Sequence, residues 1–235
     1  MALFVIADTH LSLSVDKPMD IFGGWHNYME RLEQNWRALV SEEDTVVIPG
    51  DVSWGMSLEQ ARADFAFLDR LPGKQKILLK GNHDYWWTTR AKMERFLEQE
   101  GFFTLRILNN DSVRAEGVSL CGTRGWLFEQ GQPHDQKIVS RETGRLRASL
   151  EHARQQDLAL GEETEKIVFL HYPPLFLDQK IPQFLEVMTE YGVRRCYYGH
   201  IHSAGCQYAL NGSWGGIQFT LVSGDFLKFI PKKIK

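Results

Sequence analysis

Three shortages narrow the field before any motif is read. Cysteine is scarce: Cys121, Cys196 and Cys206 are the only three in 235 residues, widely spaced, odd in number and without a CxxC pair. That pattern argues against a thiolate zinc site and fits buried free thiols in a reducing cytosol. Long apolar runs are missing as well. The opening stretch MALFVIADTH is apolar only over residues 1–7 and has neither a basic flank nor a cleavage site. It reads as neither a signal peptide nor a membrane span, and a cytoplasmic protein is expected. Nor does one sign of charge dominate. The formal net charge of −3 offers no long-range attraction for nucleic acid, and no basic stripe favours a nuclease. No repeat, low-complexity tract or Gly/Ser linker breaks the chain, so a single domain over residues 1–235 is expected.

What is present is ordinary globular composition, 43% hydrophobic and 24% charged, with seven Trp and fourteen Phe to fill a core. Five short apolar runs recur, at residues 3–7, 45–48, 76–79, 166–170 and 196–198. They lack polar alternation, as strands buried on both faces do. Between them lie helical stretches. Trp25, Tyr28, Met29, Leu32, Trp36, Leu39 and Val40 form a helix stripe. Ser57 and Gln60 are spaced as a capping box, and Leu71-Pro72-Gly73 closes that helix. Further helices are expected over residues 88–99, ended by Gly101, and over Ile181 to Tyr191, ended by Gly192.

Alternation of this kind predicts an α/β fold with a largely parallel sheet. Residues 102–108 and 112–121 read as meandering strands around Asn109-Asn110-Asp111. Residues 207–210 and 217–222 read as a hairpin around Asn211-Gly212. These four are expected to form a second sheet packed on the first. The charged stretch from Gln136 to Glu165 predicts a surface helix around residues 141–154 with a solvated face.

Each apolar run ends in polar, metal-competent residues. Asp8 and His10 follow the first, Asp51 the second, Asn82, His83 and Asp84 the third, His171 the fourth, and His200 and His202 the fifth. In an open parallel sheet the carboxyl ends of strands share one edge, where ligands bind. If the backbone stays extended, Asp8 and His10 point to one side, as do His200 and His202. Two aspartates, one asparagine and four histidines exceed the needs of one metal ion, and mixed oxygen and imidazole donors suit Mn, Fe or Zn. Two ions sharing one carboxylate would use the whole set and could clamp an in-line displacement at phosphorus.

The series DTH, GD, GNHD, a lone His in HYPP, and GHIH, in that order across residues 8–202, resembles the motifs of the calcineurin-like metallophosphoesterases. The resemblance implies two packed β-sheets flanked by helices, with a two-metal site at the strand ends. It implies that Asp8, His10 and His202 hold one ion, that Asn82, His171 and His200 hold the other, and that Asp51 bridges them. By the same resemblance His83 meets the substrate phosphate and protonates or stabilises the leaving oxygen, while Asp84 orients that imidazole and raises its basicity. The substrate class implied is a small phosphorylated molecule, with nucleotide-like compounds among the candidates and a phosphodiester favoured over a monoester.

The chain departs from the serine/threonine protein phosphatases, whose GDxVDRG and GNHE read here as GDVSWG and GNHD. A non-catalytic scaffold of the same fold would lack part of the set, and a metal sensor would not need His83 and Asp84. Trp54, Trp86 and Trp87 lie just past the motifs and are candidates either for the pocket wall or for the core. Arg124 in GTRGW is a candidate for a phosphate contact or a surface ion pair. His26 reads as an N-terminal helix residue, with a role at the pocket rim as the alternative, and the lysine-rich tail from residue 228 as a solvated, frayed end.

Overall fold

The computed structural model describes residues 1–127 and 135–235. In chain order the first half carries β1 (Leu3–Val5), α1 (Tyr28–Leu39), β2 (Thr45–Pro49), α2 (Leu58–Asp69), β3 (Gln75–Leu79), α3 (Arg90–Glu100), β4 (Leu105–Ile107), β5 (Ser112–Ala115) and β6 (Val118–Thr123). The second half carries α4 (Asp135–Leu160), β7 (Glu165–Leu170), β8 (Leu175–Phe176), β9 (Gln179–Lys180), α5 (Pro182–Glu190), β10 (Arg195–Tyr198), β11 (Gly212–Trp214), β12 (Ile217–Leu221) and β13 (Lys232–Lys233).

All five apolar runs form strands, but they divide between two sheets. The first sheet has the order β13-β1-β2-β3-β4, parallel except for β13. The second has the order β11-β12-β10-β7-β6-β5, parallel at its centre and antiparallel at both edges. Residues 102–108, expected in the second sheet, supply an edge of the first instead, because β4 pairs with β3.

Three apolar clusters correspond to three layer contacts. Phe4, Ile6, Val46 and Ile48 face Trp36, Phe65 and Met93 of α1, α2 and α3. The alternate residues Leu3, Val5, Ala7 and Val47 face Leu120, Ile167 and Phe169 of the other sheet. The far side of that sheet, through Val168, Tyr198 and Phe219, packs on Leu146 and Leu150 of α4 and Phe184 of α5. Strands covered on both sides have no polar face, so their apolar runs do not alternate. The result is the α/β/β/α sandwich that the resemblance implied.

Local chemistry sets the helix ends. Ser57 accepts from the Gln60 N–H at 3.3 Å at the start of α2, as the capping box predicts. Gly101 ends α3 at φ 76°, a conformation glycine adopts without strain. The stripe from Trp25 overreaches, since α1 begins only at Tyr28, and His26 is exposed ahead of it.

Three other expectations need correction. The hairpin turn is Gly215-Gly216, both at positive φ, because residues 203–208 coil into a 3-10 helix; Asn211 instead accepts the Leu221 N–H at 2.9 Å. Helix α4 is longer than expected and not merely solvated, for it buries Val139, Glu142, Leu146, Ser149, Leu150 and Ala153. The tail is tied down: β13 pairs with β1, and the Leu3 N–H donates to the Lys235 carbonyl at 3.0 Å.

The two sheets join at the edge where the apolar runs end. The Ala7 N–H donates to the Val222 carbonyl at 2.8 Å, and Ala7 bridges Ser223 in parallel register. Backbone hydrogen bonds therefore bring the ends of β1 and β12 together across the interlayer seam.

Candidate metal centre

At that seam the sheets deliver different parts of one set. The first contributes Asp8 and His10 after β1, Asp51 after β2, and Asn82, His83 and Asp84 after β3. The second contributes His171 after β7 and both His200 and His202 after β10. The expected extended backbone is not what brings them together. Asp8, His10, Asp51 and His200 have φ of 57°, 43°, 50° and 72°. Non-glycine residues rarely adopt this region, at a cost of about 1–3 kcal/mol each.

The surrounding hydrogen bonds hold these conformations. The Asp8 N–H donates to the Gly50 carbonyl at 3.0 Å and the His10 N–H to the Asp51 carbonyl at 2.9 Å. Tyr28 Oη donates to the His10 carbonyl at 2.6 Å, and Thr9 Oγ1 to the Val52 carbonyl at 2.9 Å. The His200 N–H donates to the Asp8 carboxylate, and the His83 N–H to Asp51 Oδ1 at 2.8 Å. No side chain fits at residue 81, where a Cβ would overlap the Asp51 carboxylate and N–H.

The donor atoms fall into two triads, Asp8–His10–His202 and Asp8–Asp51–His171, each with its atoms within 4.8 Å of one another. Asp51 Oδ2 lies 3.7 Å from His10 Nε2 and 3.4 Å from His171 Nε2, between one histidine of each expected ion site. Asp8 Oδ1 lies 3.6 Å from both His171 Nδ1 and His202 Nε2. The Asn82 amide oxygen lies 2.6 Å from His171 Nε2 and 3.0 Å from His200 Nδ1. Donors about 2.0–2.2 Å from a cation sit roughly 3–3.6 Å apart around it. The Asp51–His171 Nε2, Asp8–His202 Nε2 and Asn82–His200 Nδ1 spacings fall in that range.

Two histidines have one ring nitrogen occupied elsewhere. His202 Nδ1 lies 2.8 Å from Asp225 Oδ1, and His171 Nδ1 lies 3.2 Å from the Pro49 carbonyl. In both, Nε2 is left facing the carboxylates, as metal-binding histidines are held. A set of two carboxylates, an amide oxygen and four imidazoles therefore fits divalent transition metals.

Electrostatics follow from burial. Asp8 and His171 are fully buried, and Asp51 nearly so. Burial raises the Asp8 carboxyl, but His202, His171 and His10 outweigh it and hold the group below the usual carboxylate range. Burial pushes Asp51 well up, and Asp84 and Asp8 push it further. Desolvation lowers His10 to about 3 and His200 to about 4, and takes His171 well down. His202 goes the other way, to about 10, because Asp8 and Asp225 overcome its burial.

Asp84 does not play the part expected of it. Its Oδ1 accepts from the Val52 N–H at 2.9 Å, the Ser53 N–H at 3.2 Å and Trp86 Nε1 at 3.0 Å, and its Oδ2 accepts from the Gly81 N–H at 2.7 Å. It clamps the loops after β2 and β3 and does not orient His83. The His83 Nδ1 is buried without a hydrogen-bond partner, while its ring packs on Trp54 with centroids 4.4 Å apart. Burial lowers the His83 pKa. Trp86 is core, Trp54 packs between His10 and His83, and Trp87 lines a neighbouring cavity.

The sequence reading missed Asp225, which takes both His202 Nδ1 and the Ser203 N–H. A signal was available: a Gly-Asp pair, Gly224-Asp225, stands beyond the end of β12 with two residues between, and another, Gly50-Asp51, comes directly after β2.

A sequence profile of the calcineurin-like phosphoesterases matches residues 1–204. No curated protein matches the chain. Among solved structures, a protein of unknown function from Aquifex aeolicus is 15% identical with a TM-score of 0.52, over 99% of this chain and 95% of that one. A purple acid phosphatase from yellow lupin (Lupinus luteus) seeds is 13% identical with a TM-score of 0.47, over 86% of this chain and 38% of its own. The first likeness concerns the fold alone. With the profile spanning the strand ends from Asp8 to His202, the chain belongs to the calcineurin-like phosphoesterase family.

Proposed function

We propose that this protein is a dinuclear-metal phosphoesterase that hydrolyses small phosphorylated molecules, diesters in preference to monoesters, in the cytoplasm. The observation that carries the reading is the convergence of donors from both sheets, with His171 and His202 each turning Nε2 inward while Nδ1 is held elsewhere. The free, buried thiols of Cys121 and Cys196 fit a reducing compartment.

Asp8, His10 and His202 would hold one ion, Asn82, His171 and His200 the other, with Asp51 between them. When bound, a pair of Mn, Fe or Zn ions supplies Lewis acidity toward the phosphoryl group and makes hydroxide accessible near neutral pH. The protein's residues do the rest. Asp51 Oδ1 takes the His83 N–H and so fixes the loop carrying that imidazole. With no acceptor for a proton at its buried Nδ1, His83 keeps its proton on Nε2. From there it donates to a phosphoryl or leaving-group oxygen, where negative charge builds as the ester bond breaks.

The test is turnover of bis(p-nitrophenyl) phosphate beside p-nitrophenyl phosphate, by chelator-stripped protein reloaded with Mn²⁺. Hydrolysis that disappears in Asp51→Asn supports the reading, and a higher rate on the diester supports the preference. In His83→Ala, turnover falls about a hundredfold or more while the metal content stays. A His83→Ala protein as active as the parent would remove His83 from the chemistry. No turnover of either ester by protein shown to hold two ions would count against the enzyme reading.

A further inference from the structure

A cavity of about 380 Å³ adjoins the metal centre and has no part in the proposal above. It lies between the end of β3, the end of β6 and the first half of α4, with Lys80, Trp87, Thr123, Arg124, Glu142 and Arg145 on its walls. It is tied directly to the site. Lys80 is two residues before Asn82, and the Arg124 carbonyl accepts from the N–H groups of His171 and Tyr172 at 3.1 and 2.9 Å.

Charges on the walls do not balance. Lys80, Arg124 and Arg145 are three cations against one wall carboxylate, Glu142, which leaves two positive charges over. Glu142 is fully buried and already engaged by Thr123 Oγ1 at 2.6 Å and by Arg145 Nη1 at 2.7 Å. Its distance to Arg124 Nη2 is 3.8 Å, too long for a hydrogen bond. Arg124 Nε is buried without a partner, and the guanidinium lies 5.0 Å over the Trp126 ring, which holds it in place. Lys80 makes no hydrogen bond among the described residues. Asp84, a further carboxylate within electrostatic reach of Lys80, takes four donors of its own.

On a chain whose formal net charge is −3, such a pocket is a local reversal of sign. Partly buried cations without hydrogen-bonded partners are costly unless an anion completes them. A guanidinium and an ammonium lining one cavity, with Thr88 and Thr89 beside them, match the several oxygens of a phosphoryl group. From this juxtaposition we infer that the cavity is a second phosphoryl-binding site, so that substrates of this protein carry two phosphoryl groups, one at the metal centre and one between Lys80 and Arg124. The inference rests on the phosphoesterase reading for the first group only.

Two measurements decide it. With Mn²⁺-loaded protein turning over bis(p-nitrophenyl) phosphate at fixed free Mn²⁺, methylphosphonate is compared as inhibitor with alkane bisphosphonates of one to four carbons. At least one bisphosphonate should bind about tenfold more tightly than methylphosphonate, and Arg124→Gln should bring that ratio close to one. A ratio near one in the parent, or one that survives in Arg124→Gln and in Lys80→Gln, overturns the inference. The second reading needs no turnover: the rise in Tm with millimolar inorganic phosphate. A rise kept in Asp51→Asn and lost in Arg124→Gln supports the pocket even if no ester is hydrolysed, so the two readings fail separately. A rise lost in Asp51→Asn and kept in Arg124→Gln overturns it.

Discussion

Single residues at this site do two kinds of work, and Asp84 and His83 separate them. Asp84 is buried, with a pKa that burial raises to about 6 against four hydrogen bonds that lower it. Its chemistry is that of an acceptor among donors: three backbone N–H groups and an indole converge on two oxygens. An asparagine there would turn an NH₂ toward an N–H, leaving a buried donor unpaired. Asp84→Asn should therefore lower stability by about 1–3 kcal/mol in denaturant unfolding. The same variant should leave the NMR titration of the His83 ring unmoved, since Asp84 does not touch it. A shifted His83 titration at unchanged stability would restore the orienting role expected from the family resemblance. The identity of both residues was legible in GNHD, but the direction of the Asp84 carboxylate was not. That direction depends on a loop 31 residues away along the chain, at Ser53. The left-handed backbone at Asp8, His10, Asp51 and His200 was hidden for a related reason. Glycine announces such positions, whereas Asp and His hold them only when long-range bonds insist.

At the scale of elements, the strand ends carry the argument. Buried strands were legible because cover on both sides removes polar alternation, and their ends were legible because the metal-competent residues follow them at once. Their partition into two sheets was not, since β1 and β7 present the same apolar pattern whichever neighbour they pair with. Helix α4 misled in the opposite sense: the side chains it buries include Glu142, Ser149 and Asp157, so its inner face looks solvated in sequence. The most informative omission is the loop after β12. Asp225 there holds His202 Nδ1 and the Ser203 N–H, and with Asp8 it drives the His202 pKa up to about 10. An element outside the motif series thus sets the ring that faces Asp8. Asp225→Ala should weaken metal binding about 10–100-fold in calorimetric titration, with Asp225→Asn falling between, because its amide oxygen still accepts from Nδ1. Equal affinity in all three proteins would mean that His202 is oriented by the metal alone.

Across the whole molecule, the centre is a clasp between layers. Asp8, Asp51 and Asn82 come from one sheet, and His171, His200 and His202 from the other. Beneath them the seam is held by apolar packing and by the hydrogen bond from the Ala7 N–H to the Val222 carbonyl. Without cations, the buried Asp8 and Asp51 carboxylates repel each other, and burial, together with Asp84 and then Asp8, forces Asp51 well above its ordinary pKa. Bound cations reverse the sign of that interaction and cross-link the sheets, so metal binding should appear as global stability. Metal at a thousand times its dissociation constant adds about 4 kcal/mol. For a chain of this size each kcal/mol moves Tm by about 2–4 °C, so chelation should lower Tm by roughly 8–16 °C. Asp51→Asn should lose most of that metal-dependent difference. Hydrogen exchange should show where it arises, with the amides of Ala7 and His200, which donate across the seam, losing protection on chelation before those in the middle of β2 and β7. An unchanged Tm in protein shown to release two ions would mean that the sheets are joined by packing alone and that the centre rests on a seam it does not strengthen.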